Sequence, residues 1–254
     1  MTLTVKQGSI LLVTLAAVIV IVLAFVPPIA QPVEYHQFAD QRTIAGVPHA
    51  LNVLSNVGFL IVGVWGVLFV TGSHSAFADP IERLPYLIFF VGVALTCFGS
   101  SYYHLAPDNS RLVWDRLPMT VGFTALYAAV LGERVSLRFA MRALPFFLLV
   151  GIASVFYWGW SENAGRGDLR PYIFVQFFPV LTIPLLLWLF PARYTHRGHL
   201  LLAVAIYGGA KVFELFDAQF LSATRVISGH SLKHLAAAVA IYFVLRMLQK
   251  REPA

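Results

Sequence analysis

Apolar residues run along this chain in blocks of about 20 positions, the length an α-helix needs to cross the hydrocarbon core of a bilayer. Polar residues gather in the short stretches between them. The blocks predict eight helical spans, over residues 9–29, 48–69, 83–103, 112–131, 139–158, 171–190, 200–216 and 230–248. Gly and Pro punctuate the connections, as in Ala106-Pro107-Asp108-Asn109 and Gly165-Arg166-Gly167. Pro179 and Pro184 fall inside a span, where neighbouring helices re-satisfy the freed backbone groups. The pattern predicts an all-α, polytopic membrane helix bundle with no room for a soluble domain. Its first block, within residues 1–30 and preceded by Lys6, reads as an uncleaved transmembrane anchor. The alternative is a signal peptide cut near Ala30, but the apolar stretch is long for signal-peptide cores, which run to about 15 residues.

Composition agrees with the pattern: of 254 residues, 59% are hydrophobic and 12% charged, with a mean hydropathy of +0.76, outside the range of soluble domains. The single cysteine, Cys97, lies in an apolar block, which excludes an internal disulfide and a Cys-based metal motif. A net charge of +6 does not point to nucleic acid, because the basic residues are scattered over loops instead of forming one stripe. Their distribution over alternate ends of the spans is informative. Lys6, Arg83, Arg134, Arg138, Arg142, Arg193, Arg197, Arg246, Lys250 and Arg251 fall on one side, against Arg42, Arg111, Arg116, Arg166, Arg170 and Arg225 on the other. The positive-inside rule then predicts both termini in the cytoplasm.

That orientation brings the chain's unusual polar residues to one, extracytoplasmic, edge. Ser100 and His104 stand four apart and share a helix face, and Asp115 opens the next helix across a short turn. Far downstream, His230 and His234 in HSLKH repeat the four-residue spacing, with His234 one turn deeper. Two imidazoles on one helix face and a third from a neighbour match the three protein ligands of catalytic zinc, whose fourth position holds water. His104, His230 and His234 are therefore the expected metal ligands. Asp115 is expected either to orient and deprotonate that water or to hold a ligand imidazole. Ser100 is placed to donate a hydrogen bond to an oxyanion. Taken singly, each residue has a plainer reading: an interfacial histidine, a helix-packing serine, a helix N-terminal acid. HxxxH is a short motif, and Lys233 stands where HExxH metalloproteases carry Glu. The shared edge lifts the set above its members, since ionisable residues at membrane depth are rare and functional by default. A proton-relay transporter would instead spread such groups across the bilayer.

At these positions the chain resembles the alkaline ceramidase family, within the superfamily that includes the adiponectin and progestin receptor-like proteins. The matches are SxxxH at Ser100 and His104, the aspartate at Asp115, HxxxH at His230 and His234, and NxxSN at Asn52, Ser55 and Asn56, over about residues 35–248. The resemblance implies a seven-helix core within residues 31–254, to which residues 1–30 add one helix. It implies an intramembrane zinc amidase that hydrolyses the amide of ceramide, or of a related membrane lipid, to a fatty acid and a sphingoid-type base. The alternative within the superfamily is a non-enzymatic receptor or sensor with a structural zinc site. Eukaryotic alkaline ceramidases carry an acidic calcium-binding segment before NxxSN. Here that segment is YHQFADQRTIAGVPH, with Asp40 its only acid, so calcium dependence is not expected. Lys233 replaces an aromatic residue common in those members, which points its ammonium at a different head group. The oligomeric state is left open.

Other polar residues read more simply. Lys211 and Glu214, three apart on one helix, are expected to pair. His74, His196 and His199 fall in loops away from the site, while His36 and His49 lie on its side, where gating or head-group contact is open to them. Trp114, Trp158, Trp160 and Tyr172 read by default as an aromatic belt at the outer interface, the alternative being that some of them line an acyl-chain entrance.

Overall fold

A computed structural model describes residues 4–72 and 76–254; His74 lies outside the described residues. These form α1 (Val5–Phe25), α2 (Ala50–Leu54), α3 (Val57–Thr71), α4 (Arg83–Leu105), α5 (Asn109–Arg134), α6 (Leu137–Asn163), α7 (Arg170–Leu189), α8 (Gly198–Leu215), α9 (Asp217–Thr224) and α10 (Gly229–Lys250), with two short 3-10 turns at Val33–His36 and Pro80–Glu82. No strand occurs among the described residues. The chain is an all-α, multi-pass membrane protein: among the described residues, seven helical segments, with α2 and α3 counted as one, are long and apolar enough to cross a bilayer.

The expected spans are all helical, with two refinements. The block at 48–69 is broken at Ser55 and Asn56 into α2 and α3. The block at 112–131 belongs to α5, which falls outside those seven because Arg111, Asp115, Arg116, Glu133 and Arg134 dilute its apolar surface. It tolerates them because it is packed among α4, α6 and α7 and buries Leu112, Ala125, Ala128 and Val130 almost completely. A helix shielded by protein need not be apolar all round. By contrast α1, whose side chains are mostly exposed, lies outside the bundle and packs along α7. Pro179 and Pro184 sit within a continuous α7.

Close approaches and caps set the geometry of one end of the bundle. A Cβ on Gly99 would lie 2.1 Å from the Trp114 carbonyl oxygen, so only glycine lets the end of α4 touch the start of α5. Gly229 plays the same part for α10, where a Cβ would meet the Phe213 carbonyl oxygen at 2.1 Å. Asp108 caps α5 by accepting from the Arg111 N–H at 2.8 Å, and Ser228 caps α10 by accepting from the Ser231 N–H at 3.2 Å. At the opposite end, Arg251 is buried against the Phe77, Tyr86 and Tyr194 rings, donating to Glu133 and to the Ala76 carbonyl.

Candidate metal centre

Three histidines meet at the glycine-welded end. His104 comes from the last turn of α4, and His230 and His234 come from the first two turns of α10, where the Ser228 cap fixes their start. One ligand nitrogen from each lies within 4.8 Å of the others, and all three side chains are buried. Ring centroids are 4.9 Å apart for His104 and His230, 5.0 Å for His104 and His234, and 4.8 Å for His230 and His234. Such a triangle can hold a metal ion. Nδ1 of His104 is buried with no hydrogen-bond partner, an uncommon condition for a polar atom that ligation relieves.

The surrounding residues hold the rings in place. Ser55 Oγ lies 2.9 Å from His234 Nδ1 and donates its own proton to the Asn52 carbonyl at 3.0 Å. In the tautomer with the ring proton on Nδ1 it accepts from Nδ1–H, and the other ring nitrogen of His234 is then bare. Asn52 Oδ1 accepts from the Ser231 hydroxyl at 2.7 Å and Asn56 Nδ2 donates to the Asn52 carbonyl at 3.0 Å, so the NxxSN residues tie α2 to the start of α10. Asp217 accepts from the His230 backbone N–H at 2.7 Å and from the Ala39 N–H at 2.9 Å. The Phe38 ring covers the centre from outside, 4.6 Å from the His104 ring and 4.4 Å from that of His230. In the same connection, the Arg42 guanidinium, 2.6 Å away, holds Asp40 below the usual carboxylate range. His49 Nδ1 donates to the His104 carbonyl at 2.9 Å, and His36 bridges the Tyr103 hydroxyl and Asn109. Both buttress the site.

Ser100 and Asp115 share a cavity of about 380 Å³ with His234 and Lys233. Ser100 is buried and its hydroxyl faces the Asp115 carboxylate, which is half-buried and lines the same cavity. Inward, the cavity becomes apolar, lined by residues such as Phe89, Phe123 and Leu126, and it runs between α7 and α8, which scarcely touch. Lys211 donates to Glu214 at 2.7 Å as expected, but the pair is a triad. Lys233 also donates to Glu214 at 3.0 Å, and its ammonium stands 3.0 Å from His230 Nε2. Ligation through that nitrogen displaces this last hydrogen bond and leaves Lys233 to Glu214.

The structure thus clusters the three histidines singled out in the sequence, sets Ser100 and Asp115 in a cavity with one of them, His234, and adds Ser55, Phe38 and Asp217 around the cluster. It corrects the aromatic belt. Trp114 and Trp160 are exposed, but Trp158 and Tyr172 are buried, 4.1 Å and 4.6 Å from the guanidinium of Arg116. Away from the centre, His196 is exposed, His199 is half-buried against it, and Cys97 is a buried free thiol. Comparison with protein-family models, with curated proteins and with solved structures finds no match for this chain.

Proposed function

We propose that the protein is a zinc-dependent lipid amidase, acting within the membrane in the manner of the alkaline ceramidases it resembles, on ceramide or a related lipid amide. The observation that carries this reading is a cluster of three buried histidines, one of which, His234, lines an apolar cavity together with Ser100 and Asp115. His104, His230 and His234 fit zinc by donor type and number. Zinc held by three imidazoles supplies a Lewis acid and lowers the pKa of a bound water to about 7.

The remaining work falls to the chain's own residues. The acyl chain enters the apolar part of the cavity, which holds the amide beside Ser100 and Asp115 and excludes bulk water. Asp115 accepts a proton from the attacking water and returns it to the amine nitrogen as the C–N bond breaks, releasing a fatty acid and a free amine. This role suits a carboxylate that faces Ser100, while Ser55 does the holding of His234. The Ser100 hydroxyl donates to the oxygen on which negative charge develops. The excess of Lys and Arg at the opposite end orients the site to the extracytoplasmic side, with substrate drawn from that leaflet.

Purified protein incubated with ceramides of several chain lengths should release fatty acid, and His230→Ala and Asp115→Ala should each abolish turnover while remaining folded. Elemental analysis should find about one zinc per chain, lost in His234→Ala. Undiminished turnover in both alanine variants would reject the amidase reading. Bound zinc with no release from any amide would favour a receptor-like role instead.

A further inference from the structure

Arg116 is the one cation of the cavity wall with no ion pair among the described residues. It follows Asp115 on α5, lines the same cavity and is only 5% exposed. Its Nη2 donates to Gln31 Oε1 at 2.6 Å, whereas Nη1 is buried with no hydrogen-bond partner. Around it stand the rings of Trp158, Tyr172 and Tyr35, at 4.1, 4.6 and 5.8 Å from the guanidinium carbon. Aromatic faces stabilise a buried cation in part, but they offer Nη1 no acceptor. Glu162, which meets Gln31 through its backbone, accepts on Oε1 from the Gln31 N–H and from Trp158 Nε1, at 2.6 and 3.0 Å.

The other charges of the cavity answer one another. Lys211 and Lys233 both pair with Glu214, which also accepts from the Tyr35 hydroxyl at 3.2 Å. Lys233, expected from its position between the histidines to meet a head group, is thus already engaged. Arg116, Lys211 and Lys233 outnumber Asp115 and Glu214 by one positive charge. A buried guanidinium with an unused donor is costly unless something meets it, and a carboxylate or phosphate meets this fork in two parallel hydrogen bonds.

Position decides which part of a ligand brings that anion. The apolar depth of the cavity suits an acyl chain, and Ser100 and Asp115 stand at its polar end. Arg116 stands at that same end, bonded to Gln31 and against the Tyr35 ring of the α1–α2 connection. We infer that Arg116 is a specificity residue, and that the lipid amide this site takes carries a carboxylate or phosphate on the amine side of its amide bond. The inference rests on the amidase reading for its amide and on Arg116 for its charge.

The test uses full-length protein stripped of metal with a chelator, so that binding is read without turnover. N-lauroylglycine and the neutral N-lauroylethanolamine have the same acyl chain and similar bulk. The wild type should bind the carboxylate at least about tenfold more tightly, a difference of about 1.4 kcal/mol. Arg116→Met should erase that preference while leaving the neutral affinity in place. Equal affinity in the wild type, or an intact preference in Arg116→Met, overturns the proposal. Displacement by free glycine or inorganic phosphate as efficiently as by the lipid also overturns it, because the site would then be one for small anions. Should Arg116→Met not fold, Arg116→Lys keeps the charge and should keep part of the preference, and equal binding in the wild type still decides against the idea. An intact preference with no amide turnover in zinc-loaded protein would sink the amidase reading and leave the anion site standing.

Discussion

Ser55 holds the Nδ1 edge of the His234 ring. Its hydroxyl lies 3.0 Å from the Asn52 carbonyl, to which it donates, and 2.9 Å from Nδ1, from which it accepts when that nitrogen carries the ring proton. In Ser55→Ala the ring loses that partner and rotates more freely. Loss of such a supporting hydrogen bond lowers metal affinity by about 10- to 100-fold and costs about 1 kcal/mol of stability. Competition with a chromophoric zinc chelator measures the first and a detergent melt the second; unchanged zinc affinity would show that Ser55 does not orient the ring. Sequence spacing made the three histidines legible because each four-residue step lies on one helix. The residues around them are legible only in part. Ser55 belongs to a motif whose role no spacing discloses. Phe38 and Asp217 reach the centre from a connecting segment and a helix corner, where no periodicity aims a side chain. Trp158 and Tyr172 sat at the depth of a belt, but they face a buried arginine instead of lipid.

Among the helices, the contact between α4 and α5 sets the distance from Ser100 to Asp115, and Gly99 permits it. A methyl at Gly99 would stand 2.1 Å from a backbone oxygen, which cannot rotate away, so the two helices must part. Gly99→Ala should destabilise the protein by about 1–3 kcal/mol, the usual range for overpacking, and lower turnover through the spread of Ser100 from Asp115. Gly208→Ala is the control, since a Cβ there meets nothing within 4 Å. Equal melting temperatures for the two variants would remove Gly99 from this role. Hydropathy located every long helix, because lipid exposure and apolarity go together in most of them. It said less about α5, whose charged residues are tolerated only because three helices enclose it, and nothing about the break between α2 and α3. That break turns Asn52 toward the Ser231 hydroxyl and Ser55 toward His234, a tertiary requirement invisible in an unbroken apolar run.

At the scale of the molecule, α1 stands aside and α3, α4, α5, α7, α8 and α10 line one cavity. Its polar end is closed from outside by the α1–α2 connection, with Phe38 over the histidines and Gln31 over Arg116. On the proposed function a lipid has its easiest route sideways, between α7 and α8, where Phe177, Val180 and Ile183 on one helix oppose Ala203, Val204 and Tyr207 on the other. Ala203 is buried in that wall and distant in sequence from every proposed ligand. Ala203→Trp would fill the seam with an indole while leaving the histidines, Asp115 and Arg116 untouched. If substrate enters there, long-chain amides should show a KM at least about tenfold higher, equivalent to about 1.4 kcal/mol of lost binding. Short-chain amides, which need less of the cavity, should be affected less, and zinc content should not change. An unaltered KM for long-chain substrate in a folded, zinc-replete variant would mean that the acyl chain takes another path, and the connection over Phe38 would then have to open.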